Sequence, residues 1–151
     1  MRERWAKIIS TVFYLGYFPF AAGSIASIIG GLIAIALHAK IMIFWGAFLL
    51  ITALGFWAGG PMERIEKEKD PACVVIDEVS GAMIAFFMLP AQWPVLFTAF
   101  FLFRAFDMFE VPPANLLAKK GGGTGIMMDD IVAGIYTNIV MHIAIRAAGI
   151  T

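Results

Sequence analysis

The sequence predicts an all-α fold, a polytopic membrane helical bundle formed by residues 1–151 as one domain, with four to five apolar segments, some short or broken. Three observations predict it. Of the 151 residues, 61% are hydrophobic, against roughly 45–50% in a soluble domain. The mean hydropathy of +0.86 implies more apolar surface than a core of this size can enclose. The apolar residues also fall in long runs with few charges, the pattern of membrane spans.

The elements follow in order. Arg2, Arg4 and Lys7 precede an apolar run from Ile8 to Phe20, which imitates a secretory signal. Gly16 and Pro19 interrupt that run and further apolar segments follow, so it reads as part of the membrane protein. Ser24 to Leu37 is apolar and rich in small residues, and extends back toward Tyr14. Ile41 to Ala58 carries no charge and approaches the length of a span. The short link His38–Lys40 makes these two a helical hairpin. Glu63 to Asp70 is a dense mixed-charge run with Glu–Lys pairs at helical spacing, expected as a solvated helix outside the bilayer. Asp70–Pro71 ends it.

Val79 to Leu89 is apolar but short, and Pro90, Gln92 and Pro94 break it. Val95 to Phe106 is apolar and aromatic, interrupted by Arg104. These two read as a hairpin of short or partial spans, the first of them open to a re-entrant reading. A polar stretch from Asp107 to Asp130 follows, and the last span is expected from Ile131 to about Ile145.

Loop charges set the orientation. With the N-terminus inside and five alternating segments, Arg2, Arg4, Lys7, Arg64, Lys67, Lys69, Arg104, Lys119 and Lys120 lie inside, and only Lys40 and Arg146 outside. Every Asp and Glu then also lies inside, which the basic residues did not require. The formal net charge is zero, so no global basic field attracts nucleic acid. The single cysteine, Cys73, excludes an internal disulfide and a CxxC metal site.

Asp77–Glu78 opens the third segment, Asp107 closes the fourth, and Asp129–Asp130 opens the fifth. All three points share one membrane depth. Carboxylates there are costly unless paired, metal-bound or facing water, and converging carboxylates repel unless a cation compensates. Hard oxygen donors select Mg²⁺, Ca²⁺ or Mn²⁺, so a divalent-cation site is expected. The competing reading makes Asp77 and Asp129 helix caps that complement the helix dipole. Lys119–Lys120 precede GGGTG, Gly121 to Gly125, a segment able to offer N–H groups to a phosphate or simply to turn. Ala22 to Ser27 opens the first span in a similar way, or supplies small residues for close packing. His38 and His142 lie on the outer side or late in a span, far from the acids. No G-x-S-x-G, Walker A or DxD motif occurs.

Three motifs now stand together: VIDEVSG at Val75–Gly81, FRAFD at Phe103–Asp107 and GIMMDDIVAG at Gly125–Gly134, with Asn138 beyond. In this order and spacing the chain resembles the phosphatidylglycerophosphatase A family of bacterial membrane phosphatases, over roughly residues 19–138. The family's early proline-glycine-threonine-glycine-serine motif is matched loosely, as Ala22–Gly23–Ser24–Ile25–Ala26–Ser27. Where the family commonly has a lysine after Asp107, this chain has Glu110. The resemblance implies Mg²⁺-dependent hydrolysis of phosphatidylglycerophosphate to phosphatidylglycerol and phosphate, at the cytoplasmic face of a bacterial inner membrane. It implies that Asp77, Glu78, Asp129 and Asp130 hold Mg²⁺, with Asp107 joining them or orienting water. Arg104 would clamp the phosphate, Lys119 and Lys120 would assist it or bind neighbouring anionic lipid, and Ser24 and Ser27 would line the site. The partner is a phospholipid in the bilayer, and Gly30–Gly31 offers a helix contact within or between chains, so a homo-oligomer is open. Two rival classes are a divalent-cation transporter or channel using the same acids and a non-catalytic membrane subunit whose acids are only caps and solvated helix ends. Within the phosphatase reading, the alternative substrates are other lipid phosphates, such as phosphatidate or a prenyl pyrophosphate.

Overall fold

The computed structural model describes residues 1–150, and these form helices and no strand. The helices are α1 (Arg2–Ser10), α2 (Ala22–Ala36), α3 (Ile41–Glu66), α4 (Ile76–Ala85), α5 (Trp93–Met108), α6 (Ala114–Ala118) and α7 (Gly122–Ala147), with a single 3₁₀ turn at Leu15–Tyr17.

Two of the helices, α3 and α7, are long and apolar enough to cross a membrane. Each has 26 residues and rises about 39 Å. α2 is apolar but shorter, with 15 residues. α4 has only 10, a rise of about 15 Å, half the hydrocarbon thickness of about 30 Å. The expectation of four to five spans thus narrows to two helices of spanning length, with shorter ones packed around them.

Two boundaries differ from the sequence reading. The charged run is no separate helix: α3 carries through Pro61 to Glu66 and stops at Lys67, which is left-handed at φ 56°. Extending an existing helix adds a bond per residue fixed, whereas a new one needs a costly nucleus. α7 likewise starts at Gly122, not Ile131. The glycine-rich segment is helical because α3 lies directly on it: a methyl group on Gly123 would overlap the Phe56 carbonyl. Glu63 Oε2 accepts a hydrogen bond from Gly122 N–H at 2.8 Å, satisfying a donor at the helix start.

Between α1 and α2 the chain turns through left-handed Val12, Phe13, Tyr14 and Ala21, so α2 does not extend back to Tyr14. Gly16 is required in this turn, since any Cβ would overlap the Cys73 carbonyl. Val75 N–H donates to Ser10 O at 2.9 Å, fixing the start of α4 against α1.

The short helix α4 is central. Its residues Val79, Ala82, Met83 and Ala85 are buried together with Phe44, Phe103 and Ala133. Glycines allow the close approach on both sides. A methyl group on Gly30 of α2 would overlap the Val79 carbonyl, and one on Gly134 of α7 would overlap the Gly81 carbonyl. Gly31 faces the Phe86 ring, so the Gly30–Gly31 pair serves packing within the chain. Thr52 and Ser80 share a buried hydrogen bond at 2.8 Å between α3 and α4.

The outward faces remain apolar. Leu32, Leu49, Leu50, Phe101 and Ile143 are each at least 60% exposed, a surface matched to lipid rather than water.

Candidate functional site: a carboxylate cavity at one end of the bundle

At the end of the bundle where α2 and α4 begin and α5 ends lies a polar cavity of about 380 Å³. Its wall takes residues from every element meeting there: Gly23 and Ser24 from α2, Asp77 and Glu78 from α4, Arg104 and Asp107 from α5, and Asp129 and Asp130 from α7. The loop before α4 adds Asp70, and the turn after α5 adds Glu110.

The packing of α4 on α7 brings the acids together. One carboxylate oxygen from each of Asp77, Glu78 and Asp130 lies within 4.8 Å of the others. Asp77 and Asp130 are buried, at 7% and 3% exposure. Asp77 Oδ1, Glu78 Oε2 and Asp130 Oδ2 have no hydrogen-bond partner. Buried carboxylates without donors are strongly disfavoured unless a cation supplies the missing charge. The donor set is three hard oxygens, which fits Mg²⁺, Ca²⁺ or Mn²⁺ and not a soft metal.

The capping reading of Asp129 does not apply. α7 begins at Gly122, so Asp129 and Asp130 sit about two turns inside it. Asp77 and Glu78 do lie in the first turn of α4, but Val75 is the cap residue and no side chain bonds the free N–H groups. Asp129 Oδ1 accepts from the Asp130 N–H at 3.0 Å.

Arg104 supplies the cavity's cation. Its Nη1 lies 2.6 Å from Asp107 Oδ2 and 3.7 Å from Glu78 Oε1. Gly23 makes room for this contact: a methyl group there would overlap Glu78 Oε1 and stand 3.5 Å from Arg104 Nη1. Asp70, in the loop, has its carboxyl pushed up by loss of water contact and then by the charge of Asp107.

Other expected site residues lie elsewhere. Lys119 and Lys120 are exposed and absent from the cavity wall, and the Lys119 carbonyl accepts from Lys69 Nζ at 3.0 Å. The glycine segment is likewise outside the wall. Ser27 is fully buried and donates to the Gly23 carbonyl at 2.8 Å, bracing α2 behind Ser24. His142 Nε2 lies 3.3 Å from the Phe87 carbonyl at the far end of α4, and His38 is exposed. Burial pushes the Cys73 thiol up, holding it protonated rather than nucleophilic.

Asp70 was missed because the Asp–Pro pair reads as a helix terminator; its signal was membership of the acid-rich inside segment. Gly81 and Gly134, whose contact brings α4 and α7 together, stand inside the quoted motifs, but nothing in sequence pairs them.

These features define an all-helical protein with membrane-length apolar helices and a buried carboxylate centre at one end. The family model for phosphatidylglycerophosphatase A matches residues 8–145. The chain belongs to that family, and is by that membership a lipid phosphatase. Among curated relatives it is 35% identical over 130 residues to phosphatidylglycerophosphatase A of Haemophilus influenzae, covering 82% of this chain and 76% of the relative. The Escherichia coli phosphatidylglycerophosphatase A is 28% identical over 149 residues, 94% of this chain and 84% of the relative. A Bacteroides thetaiotaomicron protein provisionally named a phosphatidylinositol-3-phosphatase is 34% identical over 147 residues, 91% of each chain. No solved structure matches the chain.

Proposed function

We propose that this protein hydrolyses the terminal phosphate of phosphatidylglycerophosphate, with Mg²⁺ held in the carboxylate cavity, to give phosphatidylglycerol and inorganic phosphate. The observation that carries this is the cluster of Asp77, Glu78 and Asp130, with buried oxygens that lack any donor. Family membership favours hydrolysis over conduction by the same acids.

Asp77, Glu78 and Asp130 would hold the cation, with Asp129 beside them in the wall. When bound, Mg²⁺ offsets charge on phosphoryl oxygens and makes a nearby water more acidic. Arg104 presents a planar fork to the phosphate, geometry that suits two of its oxygens at once. Asp107 orients that fork through the 2.6 Å ion pair and, facing the cavity, can also accept the proton of the attacking water. The water oxygen bonds to phosphorus as the bond to the glycerol oxygen breaks, and that oxygen leaves as a hydroxyl by taking up the proton the water gave to Asp107. Ser24, at the cavity wall, can donate to a phosphate oxygen. Lys119 and Lys120, exposed outside the wall, would instead attract anionic lipid to this end of the bundle.

The cavity end also gathers the basic residues of α1, the end of α3 and the turn after α6: Lys7 pairs with Glu66 at 3.8 Å, and Lys69 reaches Lys119. A basic end is the cytoplasmic end. We therefore assign the cavity to the cytoplasmic face of a bacterial inner membrane in a multi-pass protein.

A second reading has its own support. The Bacteroides relative carries a different lipid-phosphate name, and Glu110 in the cavity wall stands where the family commonly has lysine. The reaction would be the same on another phosphomonoester lipid. The test is phosphate release by the detergent-purified protein from phosphatidylglycerophosphate, phosphatidylinositol-3-phosphate and phosphatidate, with Mg²⁺ and with excess EDTA. Release from the first lipid that EDTA abolishes is expected. Faster release from either other lipid overturns the substrate, and release unaffected by EDTA overturns the metal.

A further inference from the structure

An apolar groove of about 250 Å³ runs between α2 and α5. We propose that it holds one acyl chain of the lipid whose phosphate occupies the carboxylate cavity, an inference that rests on the lipid-phosphatase reading above.

The groove and the cavity are walled by the same two helices. On α2, Ser24 lines the cavity, and Ile28, Gly31 and Ile35 line the groove. These are positions i, i+4, i+7 and i+11, one helical face. On α5, Arg104 lines the cavity, and Phe101, Phe97 and Trp93 line the groove, at i−3, i−7 and i−11 of the same face. The two helices meet at the cavity, where Gly23 stands beside Arg104. Each stripe then runs away from the phosphate site for eleven residues, about 16 Å, close to half the hydrocarbon thickness of about 30 Å. That is the depth of one leaflet, the reach of a lipid chain whose headgroup sits at the surface.

The half-length helix supplies the floor. α4 ends at Ala85, and Phe86 then lies across the base of the groove. Gly31 is the residue that admits the ring, since its Cβ would stand 3.3 Å from it. The walls stay open to lipid: Leu32 is 60% exposed, Phe97 58% and Phe101 64%. A concave, nearly all-apolar lining aligned along two helices with a polar site is the form of a lipid-chain subsite.

The test uses the full chain in nanodiscs with an anionic glycerophospholipid bearing a photoreactive diazirine on one acyl chain. Adducts are expected to concentrate on the peptides carrying Leu32, Phe97 and Phe101. Leu32→Trp, which fills the groove, should cut them about tenfold while Ile143→Trp on the outer face of α7 does not. Leu32→Trp should also raise KM for a dipalmitoyl substrate about tenfold more than for a dihexanoyl one. Equal labelling of Leu49, Leu50 and Ile143 would mark ordinary boundary lipid and overturn the inference. So would an unlabelled groove in a protein that is dimeric by mass in detergent, which would assign the groove to a second copy. Labelling needs no turnover: groove adducts without phosphate release keep the subsite and reject the activity, whereas release with no groove adducts and no chain-length discrimination does the reverse.

Discussion

Gly81 lies directly on the backbone of Asp130: a methyl group on Gly81 would stand 2.6 Å from the Asp130 carbonyl oxygen. Asp130 reaches Asp77 and Glu78 because nothing but hydrogen separates α4 from α7 at this crossing. Gly81→Ala sets two effects against each other. Alanine improves helix propensity by about 1 kcal/mol, but the obstacle is backbone, which cannot rotate away, and overpacking costs about 1–3 kcal/mol. The steric effect should win. The variant should unfold at a lower temperature in detergent and lose at least about tenfold in turnover; equal or higher thermal stability with full activity would contradict the contact.

Asp130→Asn removes one charge from three carboxylates within 4.8 Å. In EDTA the variant should be more stable than the parent, because like-charge repulsion falls. With Mg²⁺ the order should reverse. A ligand at about 100 times its Kd stabilises by about 2.7 kcal/mol, and the variant should gain little of that. Turnover should fall at least about a hundredfold. Paired thermal melts with and without Mg²⁺ check this; a variant that gains as much as the parent excludes Asp130 as a ligand.

Arg104→Lys keeps the positive charge and loses the fork. Asp107 would still have a cation nearby, so the fold should persist. The phosphate loses one of two parallel hydrogen bonds, and KM should rise about tenfold, equivalent to about 1.4 kcal/mol. Steady-state kinetics on phosphatidylglycerophosphate decide it: an unchanged KM and kcat would remove Arg104 from the phosphate site.

Glu110→Lys changes the cavity wall charge by two units at the position where the family commonly has lysine. A cation there should attract a dianionic phosphate, so KM for phosphatidylglycerophosphate should fall about two- to tenfold. If Glu110 instead selects another headgroup, the ratio of kcat/KM between lipids will shift while the best substrate gets worse. Kinetics on the lipid panel separate these outcomes.

Much of this site was legible because charge is expensive in an apolar chain. Asp77, Glu78, Asp107, Asp129 and Asp130 stood out by residue type, and counting segments put them at one depth; all line one cavity. The short polar link between α2 and α3 was legible, but the hairpin expected from it does not form: α2 packs on α4, and α3 packs on α1 and α7. The start of α7 was not, because glycines score as a loop locally while their helicity here depends on α3, through Phe56 and Glu63. The same holds for Lys119 and Lys120, whose neighbourhood to GGGTG in sequence does not carry them into the cavity. α4 was read as an apolar segment opened by acids; that its end at Ala85 is met by a donor on a residue 53 positions away has no signal in the sequence.

That residue is Asn138. Its Nδ2 donates to the Phe87 carbonyl at 2.8 Å and the Ala85 carbonyl at 3.3 Å. A helix ending within an apolar bundle leaves carbonyls that water cannot reach, and α7 provides partners: Asn138 to both carbonyls, with His142 Nε2 3.3 Å from that of Phe87. Asn138→Leu fills similar space and supplies none. The Ala85 carbonyl then has no side-chain partner, and an unpaired buried carbonyl costs about 1–3 kcal/mol, so the thermal transition in detergent should drop clearly. The effect on chemistry should be secondary, since Asn138 stands two helical turns beyond Asp130. At a temperature where the variant is folded, its KM should stay within about twofold of the parent's. Asn138→Gln, which keeps the donor on a longer arm, should recover part of the stability. A leucine variant that melts like the parent would mean that the carbonyls at the end of α4 are satisfied without Asn138.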